Sequence, residues 1–364
     1  NGLVEVSRAA GSAAKLDAIT NWVREAGPLA NNIDPVPFTT RSLLVNPVSA
    51  SKSPNFRPVA SSPALAGPNF TDNPTLANFN LEATSYVGAL SPDASQDWTK
   101  GWTNFDPIHA SYPDPTDTTT LNGLISSLPV PGEVNITSTV TLDPSQVYLL
   151  KGLVVVRDGG KLVIPAGTII RATADLNATP KNYASIVVER GGDIQIDGSS
   201  SNPVVITSAK AAGQRNRGDW GGLLIAGKSR HNLLNGTDNN NIQMEGFNNV
   251  SFDNTLARFG GTDISDNSGS ITYLRLEFGG VAFEVNKEIN GLTLGAVGSG
   301  TVIDHVQVSY SGDDSFEWFG GTVNSKHLIA WKGTDDDFDT DNGYAGLAQF
   351  GIGVKDSAYY DLTY

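Results

Sequence analysis

From Asp335 to Asp341 the chain reads Asp-Asp-Asp-Phe-Asp-Thr-Asp, five carboxylates in seven residues. Asp313, Asp314 and Glu317 anticipate Asp335, Asp336 and Asp339 at one constant spacing earlier in the chain. Carboxylates gathered this closely repel one another unless a cation, a proton or open water intervenes. Ca2+ answers that need, because it takes roughly six to eight oxygen ligands in a tolerant geometry. The expected metal ligands are therefore Asp313, Asp314, Glu317, Asp335, Asp336, Asp337, Asp339 and Asp341, with Ca2+ as the cation. The competing reading of the same run is a solvated acidic edge. An EF-hand loop starting at Asp337 is excluded. Its glycine falls one place late, at Gly343, and its twelfth position is Ala348 instead of Glu.

Paired acids can also cleave glycosidic bonds. Asp314 and Asp336, set on adjacent rungs, would have the separation of a retaining pair, about 5 Å, whereas inverting pairs stand about 6.5–9.5 Å apart. Residues 305–364 contain no Arg to act as base in a Ca2+-assisted lyase. His305 and His327 stand where apolar runs begin and read as structural histidines. Trp98 and Trp102 are candidates for stacking on sugar rings. With Phe105 they also form a tight aromatic cluster of the kind that builds a satellite core.

The elements that must position these residues follow from a repeat. Written in lines of 22, residues 305–361 match themselves: His305 over His327, Phe316 over Phe338 and Tyr360, Glu317 over Asp339 and Asp361, Gly321 over Gly343. A fixed period of this size is the signature of a solenoid. Each line opens on a strand-like run, so the expected object is a parallel β-helix with rungs about 4.8 Å apart. Upstream, the pair of runs Leu153–Val156 and Leu162–Ile164 recurs, one longer coil on, as Ile186–Val188 and Ile194–Ile196. The Asn-rich stretch from Arg230 to Asn254 reads as a long loop thrown off a corner.

The fold class is thus all-β: a right-handed parallel β-helix over residues 121–364, with residues 1–120 placed before it. That first part is expected to hold a short helix built on Leu16, Ile19, Val23 and Ala26 and stopped by Gly27-Pro28. An irregular segment follows over 31–80, then the aromatic cluster and a Pro-rich linker over 107–120.

A net charge of −14 argues against nucleic acid and anionic membrane surfaces as partners. Ten Asp/Glu against three Lys place half of that excess in residues 305–364. The absence of cysteine excludes disulfides and thiolate chemistry. Spanning a bilayer takes about 20 residues of apolar helix. No apolar run approaches that length, so no transmembrane segment is expected. A chain beginning at Asn1 fits a processed, exported protein.

A series of motifs adds to this. Asp97-Trp98 with Gly101-Trp102-Thr103, Gly218-Asp219-Trp220-Gly221-Gly222-Leu223, Glu245-Gly246 and Glu277-Phe278-Gly279-Gly280 occur in that order. Asn290-Gly291-Leu292-Thr293-Leu294-Gly295 and Glu317-Trp318-Phe319-Gly320-Gly321-Thr322 follow. In this order they resemble a family of exported, Bacteroidota-like parallel β-helix surface proteins, mostly of unknown function. The resemblance spans residues 85–364 and implies export, a β-helix and a place at the bacterial exterior, secreted or cell-surface. It supplies no catalytic residues. Ser311-Gly312-Asp313-Asp314 is similar to a motif of polygalacturonase-type glycosidases, but the Gly-His-Gly and Arg-Ile-Lys motifs of those enzymes are absent.

The resulting expectation is an extracellular structural protein stiffened by Ca2+. It would self-associate into a homo-oligomer, filament or surface layer through its N-terminal segment and open solenoid end. The alternative is a polysaccharide-binding or polysaccharide-cleaving β-helix protein using Trp98, Trp102 and the acidic face.

Overall fold

The computed structural model describes residues 44–46, 53–66, 81–115, 133–175, 182–233, 242–247, 255–284, 287–356 and Tyr359. The helix expected near residues 16–26 and the third line of the repeat, Tyr360 and Asp361, lie outside the described residues. The chain divides into two compact units, Asn1–Trp98 and Thr99–Tyr364. In the first, Leu44–Asn46 pairs antiparallel with Asn55–Pro58, and short 3-10 turns follow at Pro63–Ala66 and Ala94–Gln96.

The second unit is a parallel β-helix. Its first sheet stacks seven strands, Glu133–Ile136, Leu153–Val156, Ser185–Val188, Leu223–Ala226, Leu292–Gly295, Phe316–Phe319 and Phe338–Asp341. Every neighbouring pair is parallel and in register. The register sorts residues into columns, because successive side chains of a strand point to opposite faces. One interior column runs Val134, Val154, Ile186, Leu223, Leu292, Phe316, Phe338. A second runs Ile136, Val156, Val188, Ile225, Leu294, Trp318. The rings of Phe316 and Phe338 stack with centroids 5.4 Å apart, as the repeat predicts.

The second sheet carries the other two faces of each coil. In the early coils these faces are separate strands, such as Lys161–Pro165 and Ile169–Ala172. From Gly269–Glu277 onward they fuse into single long strands, continued by Val302–Ser309, Asn324–Trp331 and Ala348–Val354. The long strands still turn a corner, and one left-handed residue makes each turn: Tyr273 (φ 49°), His305 (φ 56°), His327 (φ 53°) and Phe350 (φ 66°). A non-glycine residue in this region costs about 1–2 kcal/mol, so something must hold it there. The four rings stack on one another at 4.2, 4.1 and 4.9 Å. The structural role expected for both histidines is the one they fill. Earlier corners use glycine for another reason. A Cβ on Gly160 or Gly192 would lie 2.0 or 2.5 Å from the carbonyl oxygen of Ile136 or Val156 in the coil before.

Residues 99–115 lie against this flank. Trp102 is wholly buried, edge-on to Tyr273 (5.7 Å) and His305 (5.8 Å), and Phe105 meets Trp331 at 4.9 Å. The Gln307 amide accepts the Asn104 N–H (2.9 Å) and donates to the Asn104 carbonyl (2.7 Å). Arg215 donates to the carbonyls of Pro107 and Ala110, Arg171 pairs with Asp114, and the Tyr112 hydroxyl donates to the buried Glu277 carboxylate. The Gln307 and Arg215 contacts satisfy backbone groups that a segment without secondary structure leaves open, and the other two tie its side chains down. Residues 107–115 are therefore held in place and do not form the loose linker that their prolines suggest. Burial of Trp102 in this seam predicts that Trp102→Ala costs about 3–5 kcal/mol. Urea denaturation of the full chain, followed by tryptophan fluorescence and circular dichroism, measures that loss.

Candidate functional site: an acidic corner on the first sheet

The outer face of the first sheet is not exposed to solvent along most of its length. Leu153, Val155, Val187, Leu224, Ala226 and Phe319 form a second core there with Met244, Phe247, Leu256 and Phe259 from the excursion between Ala226 and Gly269, and with Val281 and Ile289. The Asn-rich composition of this excursion predicts a loop thrown off a corner. Its described residues 242–247 and 255–259 instead fold back and cover the sheet, because Met244, Phe247, Leu256 and Phe259 have apolar surface to bury.

One outward column shows where this cover gives way. After the exposed Asn135 of the first rung, it reads Val155, Val187, Leu224, Thr293, Glu317, Asp339. Apolar residues change to a hydroxyl and then to carboxylates at the last rungs. The expected stacking of Glu317 on Asp339 is present in the ladder. The turn entering the Phe316 strand adds Asp313 and Asp314, and the next turn adds Asp335. Ligand-capable oxygens of Asp313, Asp314 and Asp335 lie within 4.8 Å of one another, and so do those of Asp314, Glu317 and Asp339. Asp314 belongs to both groups.

Other expected ligands stay outside these groups. The Asp336 side chain is exposed, and its backbone N–H donates to Asp314 Oδ1 at 2.7 Å. The contact that joins Asp314 and Asp336 is thus main chain to side chain, and the two carboxyls differ in burial. Asp337 turns away to an ion pair with Lys355 at 3.3 Å. Asp341 is exposed and belongs to neither group. Trp102, a candidate for sugar stacking, presents no face to solvent. Trp98 is half-buried and its indole N–H donates to the Ala89 carbonyl at 2.8 Å.

The structure also adds residues that spacing did not reveal. The buried Asn290 donates its amide N–H to Glu317 Oε2. Thr293 pairs with Glu317 in the ladder. Glu245, on the covering excursion, and Glu288, beside Asn290, act electrostatically on the cluster. Glu245 and Asn290 both fall within motifs of the ordered series, which was their one visible signal.

Crowding governs the charge state. Burial is the main cause that pushes the Asp313 carboxyl up to about 8, with Asp314, Glu288, Asp335 and Glu245 adding repulsion. Burial, aided by Asp335, Asp336 and Asp339 against the Asp336 N–H, takes Asp314 to about 7. Glu317 goes to about 10 through burial, then Asp314, Asp339, Glu245 and Asp313. Burial raises Asp339 and Glu245 too.

A third group of possible ligands, Asp304, His305 and His327, lies on the other sheet. Both imidazole Nδ1 atoms approach the same carboxylate, at 2.8 and 2.6 Å. Burial opposes ionisation of Asp304, but the two imidazole hydrogen bonds outweigh it and hold that carboxyl well below the usual range. A transition metal needs each nitrogen at about 2.0–2.1 Å with the ion close to both ring planes. Rings stacked 4.1 Å apart at 23° do not converge that way, so this group is a corner clasp.

The sign of the pH dependence at the acidic corner follows from the raised carboxyls. Their stability contribution is complete below the unfolded carboxylate range, about 3.9–4.3. It is lost as pH rises through the folded values of about 7 and 8 for Asp314 and Asp313, because the native state must then give up protons it binds more tightly. In chelator, the thermal midpoint should therefore be lower at pH 8.5 than at pH 5.5. Glu317→Gln should narrow that difference, as scanning calorimetry at both pH values would record.

No helix among the described residues is long and apolar enough to cross a membrane. No curated protein and no solved structure matches the chain. A family described as a pectate-lyase like β-helix domain matches residues 134–359, from the second residue of the first solenoid strand past the last. The parallel coils, the in-register columns and this match lead to one conclusion: the chain belongs to the pectate-lyase like β-helix domain family.

Proposed function

We propose that the chain is an extracellular polysaccharide-binding β-helix protein whose contact surface is the acidic corner. The supporting observation is the outward column of the first sheet. It is apolar and covered for three rungs, then carries Thr293, Glu317 and Asp339 beside the half-buried Asp313 and Asp335. Carboxylates and turn carbonyls at such an edge accept hydrogen bonds from sugar hydroxyls. Charged acceptors make the stronger bonds of this kind.

The same geometry favours binding over cleavage. Oxygens within 4.8 Å of one another are too close for an inverting pair, which keeps roughly 6.5–9.5 Å open for water, and near the roughly 5 Å of a retaining pair, so it is burial and not spacing that argues against cleavage. Glu317 is only 5% exposed and Asp314 8%, which leaves no room for a sugar ring between them. The filament reading rests on the helix expected near residues 16–26, which lies outside the described residues, and on the open solenoid end.

The test is a panel of soluble neutral and acidic polysaccharides titrated calorimetrically against the full chain. Neutral, hydroxyl-rich glycans should bind, since uncompensated carboxylates repel polyanions. The double variant Asp313→Asn/Asp335→Asn should weaken binding at least tenfold without a change in circular dichroism. Silence across the panel would sink the reading. Release of new reducing ends that disappears in Asp314→Asn would reassign the corner to catalysis.

A further inference from the structure

The inner half of the acidic corner carries a second, separable inference. Asn290 is 2% exposed, and its amide is fixed by the N–H it donates to Glu317. Its carbonyl oxygen, Oδ1, is buried and accepts no hydrogen bond among the described residues. The Thr293 hydroxyl, one rung below Glu317, is also buried and without a partner among them. An orphaned buried acceptor costs about 1–3 kcal/mol. Two orphaned oxygens beside two buried carboxylates call for something positive that binds only oxygen.

We propose that Asp314, Glu317, Asp339 and the Asn290 carbonyl hold one Ca2+ ion, with the Thr293 hydroxyl alongside, and that this ion clasps the covering segments onto the first sheet. The dimensions fit. Oxygens on opposite sides of an ion at about 2.4 Å are about 4.8 Å apart, and the oxygens of the three acids lie within 4.8 Å of one another. The donor set is wholly oxygen, three carboxylates and an amide carbonyl, which suits a hard cation.

The position gives the ion a structural task. Glu317 and Asp339 belong to adjacent strands of the sheet, Asp314 to the turn before the first of them, and Asn290 to the segment that follows the hairpin strands Ala282–Glu284 and Lys287–Glu288. Ile289, next to Asn290, is part of the covering core. One ion would thus join two rungs and the edge of their cover, where the sheet's apolar outer column ends. This inference uses the same corner as the polysaccharide reading but requires no glycan.

The experiment is a calorimetric titration of the full chain with CaCl2, after chelation and without polysaccharide. It is paired with hydrogen exchange of residues 242–259 and 281–290. One saturable site is expected, with slower exchange in both segments once it fills. Glu317→Gln and Asp339→Asn should each weaken binding at least tenfold. Asn290→Leu removes no charge, so a merely acidic surface would bind as before, whereas this site should lose at least tenfold. Asp158→Asn, an exposed acid elsewhere, should leave binding unchanged. The proposal is overturned by no saturable uptake at millimolar Ca2+, by uptake indifferent to Asn290→Leu, or by uptake that leaves exchange in the cover unaltered. Repeating the glycan panel in chelator separates the two ideas. Glycan binding there without any Ca2+ uptake in the titration defeats only the clasp, and Ca2+ uptake with a silent panel defeats only the polysaccharide reading.

Discussion

Parallel strands in register force like positions to meet. Each residue of this solenoid sits about 4.8 Å from its counterparts in the coils above and below, so the chain chooses the content of whole columns more than single contacts. Apolar columns gain from this arrangement, as the interior run from Val134 to Phe338 does. Aromatic columns gain twice, through burial and through ring stacking. Carboxylate columns gain nothing and must be compensated. The chemistry of the acidic corner is a direct result of applying to acids the geometry that stabilises the rest.

The corners obey the same constraint. Tyr273, His305, His327 and Phe350 all occupy left-handed backbone, a conformation that each would avoid alone. Their rings form one stack, and Trp102 braces two of them from the side. Asp304 adds a polar tie by receiving both imidazoles. Strain spread along a column is tolerable because neighbouring rungs hold one another in the same unusual shape.

Much of this was legible in the amino-acid order. The constant period of the last coils identified the solenoid, the Phe316–Phe338 stack and the Glu317–Asp339 pair, because a strict repeat in sequence becomes a strict column in space. The acids were legible only as a cluster. Their division was not, since Asp337 turns to Lys355 while Asp314 and Glu317 are buried at the outer face of the first sheet. Asn290, Glu245 and Glu288 escaped notice because they approach through segments outside the repeat. Trp102 was ambiguous by composition and was decided by what it packs against. The packing of residues 242–247 and 255–259 onto the sheet was hidden by their polar, Asn-rich surroundings.

The covered outer face also bears on how such a chain can change over evolution. Leu224 and Thr293 are adjacent in the ladder although the whole covering excursion separates them in sequence, while Phe316 and Phe338 are adjacent after a single short repeat. The spine registers only whole coils and is indifferent to the length of chain parked between them. New material can enter at a corner without disturbing a single column, provided that it returns to the same rung. The β-helix is in that sense a ruler with slots: its graduations are fixed by geometry, and its slots are free to acquire covers, clasps and binding edges independently.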